Sequence, residues 1–300
     1  MENNTKIKNI VMGPLQIIFS SLCFAFMSYY GKIATAHLPG PEVTFFRLAF
    51  GSLVVLGMAL SGSVKLVTEN IKLLMFRGFL GGAGVLLFFI ALEKGTVTNS
   101  VVLQNTYPIF AALLSIYILK EKISLKTVIF MLVTFVGIII LIRPDVDHLR
   151  VGDLLALAAG FLGGFAVTAI RQLRKKDESV WTIFFHFCLF GAIISLVIAL
   201  PYWKWPQSGE YLWLFLTAFL GLIGQVAMTS ALKYCNAVVG GILSMSTCVF
   251  SFIIGIVLLH EKVGILDFIG IFLIIAGNVM VVAFEESKPK PASQWRQVKA

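Results

Sequence analysis

The stretch FLGGAGVLLFFIAL at residues 79–92 returns as FLGLIGQVAMTSAL at residues 219–232. Phe79-Leu80-Gly81 and Gly84 fall on Phe219-Leu220-Gly221 and Gly224, and Ala91-Leu92 on Ala231-Leu232. The offset of 140 carries residues 79–142 onto residues 219–282 without a gap, placing Phe110 on Phe250, Glu121-Lys122 on Glu261-Lys262 and Gly137 on Gly277. With one residue less of offset the match extends upstream: Gly13 on Gly152, Leu15 on Leu154, Phe26 on Phe165, Lys32 on Arg171, and Phe45-Phe46-Arg47 on Phe184-Phe185-His186. Self-similarity of this kind decides an architecture before any single motif does.

The repeated unit is written for lipid. Hydrophobic residues make up 58% of the 300 and charged residues 13%, at a mean hydropathy of +0.93. Soluble chains carry about 25% charged residues. Ten apolar stretches are expected to span, at 11–34, 42–61, 72–93, 97–119, 125–142, 152–171, 180–200, 210–232, 236–259 and 265–284. At 1.5 Å per residue, about 20 residues match a hydrocarbon core roughly 30 Å thick. Barrel strands would be about ten residues long and strictly alternating, which these are not. The first stretch lacks a short apolar core followed by a small-residue cleavage site, so it reads as a retained helix. Pro39-Gly40-Pro41, Ser61-Gly62-Ser63, Arg143-Pro144-Asp145 and the loop from Pro201 to Gly209 supply the turns.

The expected fold is an all-α integral membrane protein of ten transmembrane helices in two inverted five-helix repeats. Its organisation is a cytoplasmic N-terminus (1–10), a first repeat (11–142), a second repeat (152–284) and a disordered cytoplasmic tail (285–300). If the N-terminus is cytoplasmic, 17 of the 24 Lys and Arg fall on the inner side, which sets both termini there. Five crossings are an odd number, so the second copy enters from the opposite face and the copies are antiparallel.

The net charge of +9 reflects such loops rather than a nucleic-acid partner. Cys23, Cys188, Cys235 and Cys248 have no CxxC or Cys/His spacing, so neither a disulfide nor a metal or other cofactor is expected. No GxSxG, HExxH or P-loop is present, and no catalytic residue is assigned.

The polar residues within spans are the candidates for solute contact. The fourth stretch holds Asn99, Ser100, Gln104, Asn105, Thr106, Tyr107 and Pro108, and Pro108 frees the carbonyl of Gln104 from the helical ladder. A freed carbonyl at membrane depth needs protein or a wet cavity around it. At matching depth in the ninth stretch lie Ser244, Ser246, Thr247 and Cys248. Either these groups line a midplane site, as in carriers built from inverted repeats, or they tie helices together at about 0.6 kcal/mol per bond. The first stretch adds Ser20 and Tyr29, the latter near the outer interface, where an aromatic belt is the default reading.

Arg47, Arg77 and His186 lie five or six residues inside their spans. They read either as gating or anion-contact groups or as snorkelling anchors of helix ends. No Asp or Glu lies near a span centre, which biases the solute towards neutral, zwitterionic or amphipathic molecules. Gly78-xxx-Gly82, Gly160-xxx-Gly164 and Gly221-xx-Gly224 mark close helix contacts.

Pro108-Ile-Phe-x-x-Leu-Leu, running into Leu119-Lys120-Glu121-Lys122-Ile123, then Gly137 and Arg143-Pro144, resembles the EamA domain of the drug/metabolite transporter superfamily. Leu259-His260-Glu261-Lys262 to Gly277 is similar to its second copy, with Cys248 in place of Pro108, and Glu42-Val-Thr-Phe-Phe-Arg47 resembles the family's second helix. The resemblance implies a bacterial inner-membrane protein in which helices 1, 3, 4, 6, 8 and 9 surround a cavity and helices 5 and 10 are peripheral. It also implies that Cys248 weakens a symmetric contribution of the halves to the site. The expected function is secondary transport of a small organic metabolite by alternating access, most simply export of amino acids or related compounds. Uptake or exchange of a nucleoside-containing solute, or a non-transporting membrane scaffold, are the alternatives. The partners are a small-molecule substrate and the bilayer, and the oligomeric state is left open.

Overall fold

A computed structural model describes residues 2–120, 124–142, 150–259 and 264–287. The Glu121-Lys122 and Glu261-Lys262 turns, the Arg143-Pro144-Asp145 link and the tail from residue 288 lie outside the described residues. Among those described there are twelve α-helices and no strand. They are α1 (Glu2–Ala34), α2 (Gly40–Leu60), α3 (Ile71–Lys94), α4 (Val97–Gln104), α5 (Tyr107–Ile118) and α6 (Leu125–Ile142). The second half contains α7 (Val151–Lys175), α8 (Val180–Ala199), α9 (Glu210–Ala231), α10 (Ala237–Ser244), α11 (Ser246–Leu259) and α12 (Ile265–Ser287). The helices α4 and α5 together make the fourth span, and α10 and α11 the ninth. Among the described residues nine spans are long and apolar enough to cross a bilayer, and α6, apolar over Leu125–Leu141, is the tenth and shortest.

The helices do not segregate into two bundles. The most extensive packing is between repeats: α3 on α7, α1 on α9, α6 on α12 and α2 on α8. Exchanging the copies converts the first pair into the second and returns the other two to themselves. That is the signature of a pseudo-two-fold axis between interleaved halves. The polypeptide backbone polar groups stay paired inside each helix, as hydrocarbon demands.

Apolar packing is concentrated in two clusters, and the repeat exchanges them. One contains Ala34, Leu92, Val102, Leu141, Leu214 and Phe252. The other contains their counterparts Leu173, Leu232, Ile242, Val281, Leu74 and Ala112. The first sits where α1 and α3 end and α2 and α4 begin; the second sits where α7 and α9 end and α8 begins. The two clusters therefore occupy opposite ends of the helix bundle.

Helix ends are satisfied in the same way in both copies. Lys32 donates to the carbonyls of Leu92 (2.6 Å) and Gly95 (2.7 Å) at the C-terminus of α3. Its counterpart Arg171 donates to Leu232 (2.7 Å) and Lys233 (3.2 Å) at the C-terminus of α9. A cation there meets both the orphan carbonyls and the negative end of the helix dipole.

Glycines set the close crossings. A Cβ on Gly82 would lie 2.5 Å from the Gly191 Cα, and one on Gly137 would lie 2.7 Å from the Gly270 carbonyl oxygen. The Pro39-Gly40-Pro41 turn is held by Glu93, whose Oε2 accepts from the Gly40 N–H at 2.7 Å.

Candidate functional site

Both discontinuous spans break at the same register. In the fourth, α4 stops at Gln104 and α5 restarts at Tyr107, with Pro108 in its first turn. In the ninth, α10 stops at Ser244, the residue equivalent to Gln104, and α11 restarts at Ser246. The second break forms without a proline, so the replacement of Pro108 by Cys248 does not remove it. Its cause is the tightened turn Met245 N–H to Ile242 carbonyl (3.1 Å). The Ser244 hydroxyl adds a bond back to the Gly240 carbonyl (2.8 Å). Serine hydroxyls that compete for backbone carbonyls bend helices. In the first copy Asn105 Nδ2 bonds the Val101 carbonyl (2.6 Å) and Thr106 Oγ1 the Leu103 carbonyl (2.7 Å).

The carbonyls at the breaks are met by equivalent residues of different type. Ser21 of α1 donates to the Ser244 carbonyl at 3.4 Å. Its counterpart is Gly160 of α7, where an added Cβ would lie 2.9 Å from the Gln104 carbonyl oxygen. Hydroxyl and glycine thus hold the same position against the same kind of backbone group.

Between the two apolar clusters, against both breaks, lies a cavity of about 100 Å³. Gln104, Asn105 and Tyr107 line it from the first broken span, and Ser244 and Thr247 from the second. The Tyr107 side chain reaches that of Ser244, bridging the copies. Ser28 and Gln225 complete the polar lining, while Phe24, Met27, Val85, Phe88, Phe187 and Met228 supply apolar surface. A mostly apolar pocket with a few convergent polar groups is the usual form of a small-molecule site.

Arg47 and Arg77 also line the cavity. Only 5% and 3% of their surfaces are exposed, so their side chains turn inward and do not snorkel. The guanidinium of Arg77 lies 4.3 Å from the Phe187 ring centroid, and that of Arg47 lies 5.6 Å from the Phe89 centroid. Gly81 and Gly221, which are repeat equivalents, make room for them: a Cβ at either would collide with Arg77 or Arg47 respectively. The six-helix lining implied by resemblance is thus widened, because Arg47 of α2 and Phe187 of α8 also reach the cavity. Nothing from α6 or α12 lines it.

Other candidates stand apart from the cavity. Ser20 donates to the Gly224 carbonyl at 2.7 Å, joining α1 to α9. Ser246 accepts from Asn278 Nδ2 of α12 at 2.7 Å. Pro108 packs on Gly241 of α10. Tyr29 lies edge-on to Tyr30, which stacks on Trp213. His186 donates from Nδ1 to the Thr182 carbonyl (2.8 Å) among Phe185 and Phe190. Gln225, mid-span in α9 and 5% exposed with Nε2 unpartnered, is a lining residue that the sequence reading passed over.

A mostly apolar cavity with a few polar groups, at the axis of two interleaved repeats and with an apolar cluster at each end, is the architecture of a membrane transporter. The chain belongs to the EamA-like transporter family, which matches residues 11–143 and 150–283. The family and the relatives below are membrane transporters, not enzymes. The chain is 26% identical over 285 residues to an uncharacterized transporter of Helicobacter pylori, covering 91% of this chain and 95% of that one. It is 25% identical to a pseudopaline exporter of Pseudomonas aeruginosa, covering 76% of this chain and 80% of the exporter. It is 26% identical to an S-adenosylmethionine uptake transporter of Rickettsia prowazekii, covering 77% of each chain.

Proposed function

We propose that the protein is a secondary carrier that moves a small organic metabolite across the cell membrane by alternating access. The observation that carries this reading is the cavity between two apolar clusters that the repeat exchanges. If one cluster loosens while the other stays packed, the cavity faces one side; exchanging the conformations of the repeats faces it to the other. The close glycine crossings let α3, α7 and α8 shift as rigid bodies, because small residues keep the helix surfaces smooth. The charge bias of the loops supports cytoplasmic termini and an inner-membrane location, with the tail and loop ends on the basic side.

The leading solute is an amino acid or related compound, exported from the cell. The cavity suits it: Gln104, Asn105, Tyr107, Ser244 and Thr247 offer neutral donors and acceptors beside aromatic and aliphatic walls. Export is favoured by the likeness to the pseudopaline exporter. Uptake of a nucleoside-containing solute is the second reading, favoured by the likeness to the S-adenosylmethionine uptake transporter.

Purified protein in liposomes, offered a panel of labelled metabolites, tests the reading through saturable flux. Gln104→Ala should lower kcat/KM for the transported solute roughly 3- to 10-fold, the value of one neutral cavity hydrogen bond. Its thermal midpoint should not change. Linear flux that never saturates with any solute would sink the carrier reading, and unchanged kinetics in the variant would move the contact elsewhere.

A further inference from the structure

We propose that Arg47 and Arg77 form an anion subsite of the central cavity, and that the transported solute carries an oxyanion, a carboxylate or a phosphate ester. This rests on the carrier reading above and narrows its substrate. Among the described residues neither arginine forms an ion pair, and the Nε and Nη1 of Arg77 have no hydrogen-bond partner although they are buried. Each guanidinium lies beside an aromatic ring, and both residues line the cavity. Two like charges therefore share one low-dielectric space without an anion of the protein's own.

That arrangement is costly for a resting fold. An uncompensated buried charge is strongly unfavourable, and the rings on Phe187 and Phe89 return only part of the loss. Arginine is the suitable cation for such a place, since it is weakly hydrated and offers paired N–H groups to planar or tetrahedral oxyanions. The helix ends at the breaks do not supply an alternative source of net field. Each break sets the C-terminus of one half-helix beside the N-terminus of the next, so their dipoles largely cancel. The arginines remain the dominant charge, and the neutral lining at Gln104, Asn105, Tyr107 and Ser244 is left for the rest of the solute. The absence of Asp and Glu near span centres biases the solute towards neutral or zwitterionic molecules when the arginines are read as anchors of helix ends. The cations enter from nearer the span ends on long side chains, and the solute class shifts towards organic acids and acid-bearing zwitterions.

The test uses the purified protein in lipid nanodiscs and follows its thermal midpoint against L-glutamate, glutarate, glutaramide, succinate, succinamide, inorganic phosphate and putrescine. At least one oxyanion should raise the midpoint saturably, while the matched amides and putrescine do not. A response to phosphate alone assigns a phosphate ester, and a response to the acids assigns a carboxylate. Arg47→Gln and Arg77→Gln should weaken that response at least tenfold. With no ligand the same variants should be as stable as the parent or more so, by about 2–4 °C. A merely structural arginine would give the opposite sign. The subsite is overturned if amide and acid act alike, if no oxyanion acts, or if both variants lower the ligand-free midpoint and keep the response. Counterflow in liposomes separates the two ideas. Saturable flux of glutaramide or putrescine without the acids sinks the anion subsite alone, and no saturable flux of any probe sinks the carrier reading as well.

Discussion

Leucine in place of Gly82 should sharply lower the recovery of folded protein from the membrane. The Gly82 Cα faces the Gly191 Cα across the crossing of α3 and α8, where an added Cβ would lie 2.5 Å away. The obstacle is backbone against backbone, so no rotamer change relieves it and the helices must separate. Separation opens the packing around Leu48 and Phe187, beside the cavity wall. Overpacking of this kind costs about 1–3 kcal/mol and more where nothing can yield, against a total stability of about 5–15 kcal/mol. Gly57 in α2 is the control, because nothing lies within 4 Å of a Cβ there. Gly57→Leu should be neutral or slightly stabilising, since it replaces a poor helix former with a good one. Size-exclusion profiles of detergent extracts compare the two; equal recovery of both variants would show that the crossing is not tightly packed.

Replacing Lys32 by methionine should destabilise the protein by about 2–3 kcal/mol, with Arg171→Met close behind. Each cation carries two hydrogen bonds to carbonyls at a helix C-terminus. A hydrogen bond to a charged group contributes about 1.5–3 kcal/mol, two that share one cation add less than their sum, and methionine keeps the apolar stem while leaving the carbonyls unpaired. The two caps belong to opposite ends of the bundle, so the double variant should lose the sum of the single effects. Thermal midpoints in detergent measure this. A large effect at one position and none at the other would mean that the copies do not share the capping device.

Much of this architecture is visible in the residues because lipid leaves few choices. The span boundaries follow from hydropathy and turn chemistry, and Lys32 aligned with Arg171 already predicts a shared role. Pro108 likewise announces the break in the fourth span. The break in the ninth has no such marker: it arises from Ser244 bonding back to Gly240 and a tightened turn at Met245, and a hydroxyl in a helix usually does neither visibly. The sequence leaves the arginines between anion contacts and snorkelling anchors for a different reason. Sequence position fixes the depth of a Cα, whereas an extended guanidinium can end several ångströms nearer the midplane if glycines such as Gly81 and Gly221 make room. Gln225 was missed because one amide in an apolar span carries no periodic signal. Where the lining departs from repeat symmetry, as in Tyr107 against Thr247 and Val85 against Gln225, selectivity for the solute should reside.

Alternating exposure of the two apolar clusters tests the account most directly. Val102 belongs to one cluster and its counterpart Ile242 to the other, and both are buried. Single cysteines at these positions, in protein whose four native cysteines have been replaced, can be labelled in liposomes with an impermeant thiol reagent. The account predicts that each site reacts from one face only, from opposite faces, and that a condition raising labelling at one lowers it at the other. Both sites opening together, or both staying closed while saturable flux proceeds, would contradict it.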